Sequence, residues 1–129
     1  ARLARLRGAL DLARVFPPQV AQGDAGDWLI ARLAKAAPGR VTFVCHTVAA
    51  QYFPEATQRV CAAALQAAAA RDGPDAPLAH FAMESDGCGP GAALSLRLWN
   101  GAVHGWSLGR ADFHGRWVSW HPAPLPSGL

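Results

Sequence analysis

Between Val41 and Arg71 the chain changes character twice, in a way that few folds accommodate. The apolar run Val41 to Cys45 meets the polar pair His46-Thr47, Pro54 follows, and the alanine-rich stretch Glu55 to Arg71 comes directly after it. A short, continuous apolar run suits a strand covered on both faces, as in a parallel sheet. Proline is well placed in the first turn of a helix, where its missing N–H leaves no bond unmade. Alanine has the highest helix propensity of any residue, and Gly73 supplies the stop. The stretch "PLAHFAMES", Pro77 to Ser85, reads as a second strand. Strand, helix and strand form a βαβ unit, with a right-handed crossover.

The flanks extend this unit. Leu3, Leu6, Leu10 and Ala13 recur at helical spacing, which predicts an amphipathic helix over Ala1 to Val15, ended by Pro17-Pro18. A short extended piece is expected around Gln19 to Gln22. Asp27 then caps a helix over Trp28 to Lys35, stopped at Pro38-Gly39. Ala93 to Trp99 and Val103 to Leu108 flank Asn100-Gly101, a pair that accepts the positive φ angles of a type I′ hairpin turn. The proline-containing tail from His121 is expected to be irregular. The predicted class is α/β: a mixed sheet, parallel βαβ followed by an antiparallel hairpin, with helices on the faces. No repeat and no linker divides residues 1–129, so they read as one domain.

Composition excludes several classes. Hydrophobic residues make up 51% of the 129 and charged residues 16%, a globular balance. No apolar run approaches the roughly 18 residues of a membrane span, so no membrane partner is expected. The net charge of +3 comes almost wholly from arginine, with Lys35 the only lysine. Arg2, Arg5, Arg7 and Arg14 crowd the start, but no aromatic residues interleave with them. A solvated helix face explains them better than nucleic-acid binding. Cys45, Cys61 and Cys88 form no disulfide framework, and reduced thiols point to the cytoplasm.

In open α/β sheets ligands bind beyond the carboxyl ends of the parallel strands. His46 and Thr47 stand at one such end; Glu84, Ser85 and Asp86 stand at the next. His46 can act there as general base or acid, oriented by Glu84 or Asp86, or it can simply hydrogen-bond a loop carbonyl. Tyr52, the only tyrosine, can stack on a planar ligand or serve as a staple at the start of the helix. "ESDGCGPG", Glu84 to Gly91, lacks the Gly-Lys-Ser/Thr ending of a phosphate loop and reads as a lip over the crevice. Cys88 in that lip carries no mark of a lowered pKa. Asp112 and His114, if on a strand, share a face as a hydrogen-bonded pair or as two ligands. The five histidines show no metal-binding spacing, so no metal site is expected.

"VTFVCHTVAAQYFP", "MESDGCGPGAALSLRLW" and "RADFHGRWVSW", with "GDAGDWL" upstream, closely resemble a bacterial domain-of-unknown-function family, number two-three-three-two. Its members are longer, so the chain reads as a carboxy-terminal portion. The family's order of elements is similar to that of class I S-adenosylmethionine-dependent methyltransferases, which implies that the α/β mixed sheet is a partial Rossmann-like, methyltransferase-type one. That resemblance implies an adenine contact at Asp24 and a methyl-acceptor position at His46-Thr47. It also implies a strand order of fourth, fifth, seventh, sixth. The glycine-rich cofactor loop of such enzymes is missing from these residues. S-adenosylmethionine is therefore expected only in a longer parent, with an unidentified small-molecule or macromolecular acceptor, and not in this chain alone. The rival reading is a non-catalytic, degenerate methyltransferase fold used for binding or assembly. On the same analogy Val41 to Cys45 presents an unpaired edge, through which a homodimer is expected.

Overall fold

A computed structural model describes residues 2–126. Helix α1 spans Arg2–Val15 and α2 spans Ala25–Arg32; strand β1, Thr42–Thr47, leads through a 3-10 turn at Ala50–Tyr52 into α3, Glu55–Arg71. Strands β2, Leu78–Glu84, β3, Ala92–Trp99, β4, Val103–Ala111, and β5, Val118–Pro124, complete the chain. Ala1, expected in the first helix, and residues 127–129 of the tail lie outside the described residues. The architecture is α/β with one open, five-stranded mixed sheet in the order β1-β2-β3-β4-β5. β1 and β2 are parallel, and every other pair is antiparallel.

Helices cover one face of the parallel end. Leu29 and Leu33 from α2, Leu65 and Ala68 from α3 and Leu78 from β2 form one buried cluster, with Val44 and Trp99 packed against it. A second cluster, Leu94, Leu108 and Ala111 with Phe81, Met83 and Trp106, lies on the opposite face. Phe43 on that opposite face is 58% exposed, so β1 is half-buried rather than sandwiched as expected. The apolar run reads the same either way, because continuous hydrophobicity alone does not say how many faces are covered. Helix α1 buries no residue; its arginines and Leu3, Leu6 and Leu10 are all exposed.

Four further expectations are corrected. Asp24, not Asp27, caps the second helix: its Oδ1 accepts from Gly26 N at 2.8 Å and Asp27 N at 3.2 Å, so the helix starts at Ala25. The β3–β4 connection is a three-residue loop in which only Gly101 takes positive φ, not a type I′ turn. Strand order follows the sequence, so β3 rather than β4 lies beside β2, contrary to the methyltransferase order. The loop from Ser85 to Gly91 simply turns the chain back into an antiparallel neighbour, where the other order needs a crossover. His121 to Pro124 belong to β5, which tolerates Pro122 and Pro124 as an edge strand. The β4–β5 ladder is irregular around Gly109, whose φ of 115° is open to glycine and whose Cβ would meet Ser119 O at 2.1 Å.

Candidate functional site

The register of the parallel pair places the site. His46 sits opposite Ala82, and residues two before and two after Ala82 point to the same face. Those residues are His80 and Glu84, so the His46 ring lies between them on the helix-covered side. His46 Nδ1 is 2.7 Å from Glu84 Oε1, and His46 Nε2 is 2.9 Å from His80 Nε2. The two imidazole rings are tilted by 36° with centroids 5.1 Å apart.

Glu84 is held as an anion by the chain that follows β1. Its Oε1 accepts from Ala49 N at 3.0 Å and Ala50 N at 3.1 Å, and its Oε2 from Gln51 N at 3.3 Å. Burial raises the carboxyl pKa, but these hydrogen bonds and the one from His46 outweigh it and leave Glu84 below its ordinary value. The backbone reaches this arrangement through Val48, whose φ of 52° is left-handed and whose N–H bonds Met83 O at 2.8 Å. A β-branched residue there is strained. The Gln51 side chain adds a clamp, accepting from Ser85 N at 2.9 Å.

These contacts constrain the tautomers. An ionised carboxylate only accepts, so His46 carries hydrogen on Nδ1. When His46 is neutral its Nε2 keeps a lone pair to which His80 Nε2–H donates; when His46 is protonated the bond runs the other way. Burial, then the positive charges of His46 and Arg97, lower the His80 pKa from 6.5 to about 4, so His80 is neutral at pH 7. His80 Nδ1 has no hydrogen-bond partner among the described residues. Since no unpaired side-chain nitrogen or oxygen there is sealed off, it is reachable.

A pocket of about 600 Å³ opens over the pair, between β1, α3 and the segment that leads into α2. His46, His80, Asp24, Trp28, Phe53 and Leu65 contribute to its walls. Cys61 lines it too, but burial, aided by the Asp24 charge, pushes its thiol pKa up and away from nucleophilic use.

Of the six site residues named from the sequence, the fold brings together two, His46 and Glu84. Asp24 stands in the pocket wall as the cap of α2. Thr47 lies on the other face of β1 and is exposed. Tyr52 is 74% exposed and outside the pocket. Asp86 is turned away, paired with Arg110 at 2.8 and 2.9 Å, and this pairing holds its carboxyl well below the usual range. Arg110 also donates to the carbonyls of Gly89, Pro90 and Gly91, so the lip is a tied turn outside the pocket lining. Asp112 and His114 share a turn, not a strand: Asp112 accepts from His114 N at 2.9 Å and from the Arg116 guanidinium. No group of three or more His, Cys, Asp or Glu among the described residues is placed to hold a metal. His80 was missed, although its spacing of four from Glu84 on a strand was a readable signal.

The family model described as "Uncharacterized protein conserved in bacteria (DUF2332)" matches residues 1–120. The chain belongs to this family. No curated protein and no solved structure matches it. Nothing in the match to the DUF2332 family speaks for a particular cofactor, and the two residues assigned to S-adenosylmethionine do not line one pocket together. Asp24 caps α2 through Oδ1 and lines the pocket, with Thr57 Oγ1 3.5 Å from Oδ2, whereas Tyr52 lies outside the pocket lining.

Proposed function

We propose that Glu84, His46 and His80 form an acid–base relay serving a ligand in the adjacent pocket. The observation that carries this reading is the pair of contacts on one ring, 2.7 Å to Glu84 and 2.9 Å to His80. A carboxylate on one imidazole nitrogen fixes the tautomer and stabilises the imidazolium that forms when the other nitrogen takes a proton. A proton entering at His80 Nδ1 releases the Nε2 proton of that ring to His46 Nε2. One N–H bond forms and one breaks at His80, and the charge comes to rest beside Glu84. His80 thus conducts the proton without keeping it.

S-adenosylmethionine-dependent methyl transfer by a longer parent, with deprotonation of an unidentified acceptor, is the narrower form of this reading. The non-catalytic module is the alternative, and the strand order favours it over methyl transfer, because β3 takes the place beside β2. A reducing, cytoplasmic setting belongs to the proposal, since Cys45, Cys61 and Cys88 are all free thiols; no described helix is long and apolar enough to cross a membrane.

The test is base catalysis on 5-nitrobenzisoxazole, a neutral aromatic probe that reacts by loss of one C–H proton. The protein is expected to accelerate its ring opening above the buffer rate. His46→Asn should abolish at least about tenfold of that gain, and Asp86→Asn should leave it unchanged. No acceleration, or acceleration that survives His46→Asn, overturns the relay in favour of a binding module.

A further inference from the structure

The charge of the pocket wall narrows the ligand. Resting on the relay above, we infer that the pocket takes an amine: a protonated nitrogen on a largely apolar or aromatic body. Among the described residues no lysine or arginine lines the pocket, and Asp24 is the acidic residue in its walls. A phosphate or carboxylate ligand would lose its hydration there with no cation to receive it. Arg97 sits opposite His80 across the β2–β3 ladder and is not part of the lining.

Asp24 is suited to the opposite task. Its Oδ1 is taken by the N–H groups of Gly26 and Asp27, while its Oδ2 has only the distant Thr57 hydroxyl at 3.5 Å. The negative charge of Asp24 is felt inside the pocket, where it helps raise the pKa of Cys61. Trp28, Phe53, Leu29 and Leu65 supply the apolar walls. An ammonium group has no lone pair and must lose a proton before its nitrogen can react as a nucleophile. The relay accepts that proton: the ligand N–H bond breaks, the charge passes to His46, and Glu84 compensates it.

Three probes with the same phenylethyl-type body separate the possibilities: phenethylamine, 2-phenylethanol and phenylacetate. Binding is read directly from the Trp28 indole N–H and Ala50 amide resonances, which requires no catalysis. Phenethylamine is expected to bind at least about tenfold more tightly than phenylacetate. Asp24→Asn, which keeps an oxygen to cap α2, should remove most of that preference while leaving the alcohol unchanged. Phenylacetate binding as well as the amine, no binding of the amine, or a preference that survives Asp24→Asn overturns the inference. If only the relay is wrong, the parent protein keeps the Asp24-dependent preference for phenethylamine but does not accelerate 5-nitrobenzisoxazole opening, so the two failures are distinguishable.

Discussion

At His80, acidification and folding compete for one nitrogen. The folded protein holds its pKa at about 4, against 6.5 for the free side chain. Between those values the unfolded chain binds more protons than the folded one, so stability falls as pH falls. The loss is expected to reach about 2–3 kcal/mol on going from pH 7 to pH 4. Below that window Glu84 adds to it, because its folded pKa is also depressed and its stabilisation disappears as it is protonated. Urea denaturation across this range should show the slope, and His80→Gln should flatten its upper part. Val48 gives a second residue-scale expectation. Replacing it with glycine removes left-handed strain worth about 1–2 kcal/mol and adds chain entropy worth about 0.5–1 kcal/mol. The variant should match or slightly exceed the parent in urea, and a loss of several kcal/mol would show that Val48 packing outweighs its strain.

Helix α2 and helix α3 form the lid of the core and one wall of the pocket, so the element scale is read at their junction. A Cβ on Gly26 would lie 2.7 Å from Val60 Cγ1, on a branched side chain with little freedom to turn away. Gly26→Ala is expected to cost about 1–3 kcal/mol by forcing the helices apart. Asp24→Ala removes the cap and should cost about 1 kcal/mol, with Asp24→Asn nearly neutral. Thermal melts of the three variants check the ranking. A fully stable Gly26→Ala would mean that α2 is free to shift on α3.

At the scale of the molecule, β1 stands at the end of the sheet with one edge unpaired within the chain. Exposed strand edges pair with other strands unless they are covered, and a two-fold axis satisfies both copies at once. A homodimer through the β1 edge is therefore expected. Light scattering should report twice the chain mass at high concentration. Because the edge borders the pocket through Cys45, dimerisation should also change access to the relay. A monomer at every accessible concentration would refute the edge pairing.

Local chemistry was enough to determine many of the elements and little of their assembly. Glu55–Arg71 was readable to the residue because alanine propensity, Pro54 at its start and Gly73 beyond its end all agree. The apolar-to-polar change after Cys45 correctly put His46 one residue from the carboxyl end of β1, since burial on one side of that point and solvent on the other leave a mark in the residues themselves. The parallel neighbour β2 followed from the helix between the strands. The cap at Asp24 was misplaced because Asp27 offers the same side chain three residues on, and only backbone geometry distinguishes them. Thr47, Tyr52 and Asp86 were readable as polar groups near a strand end, but strand alternation and a competing arginine turned them away. The partnership of His46 with both His80 and Glu84 was decided by register, which no local pattern states: a shift of one residue would have placed His80 and Glu84 on the opposite face.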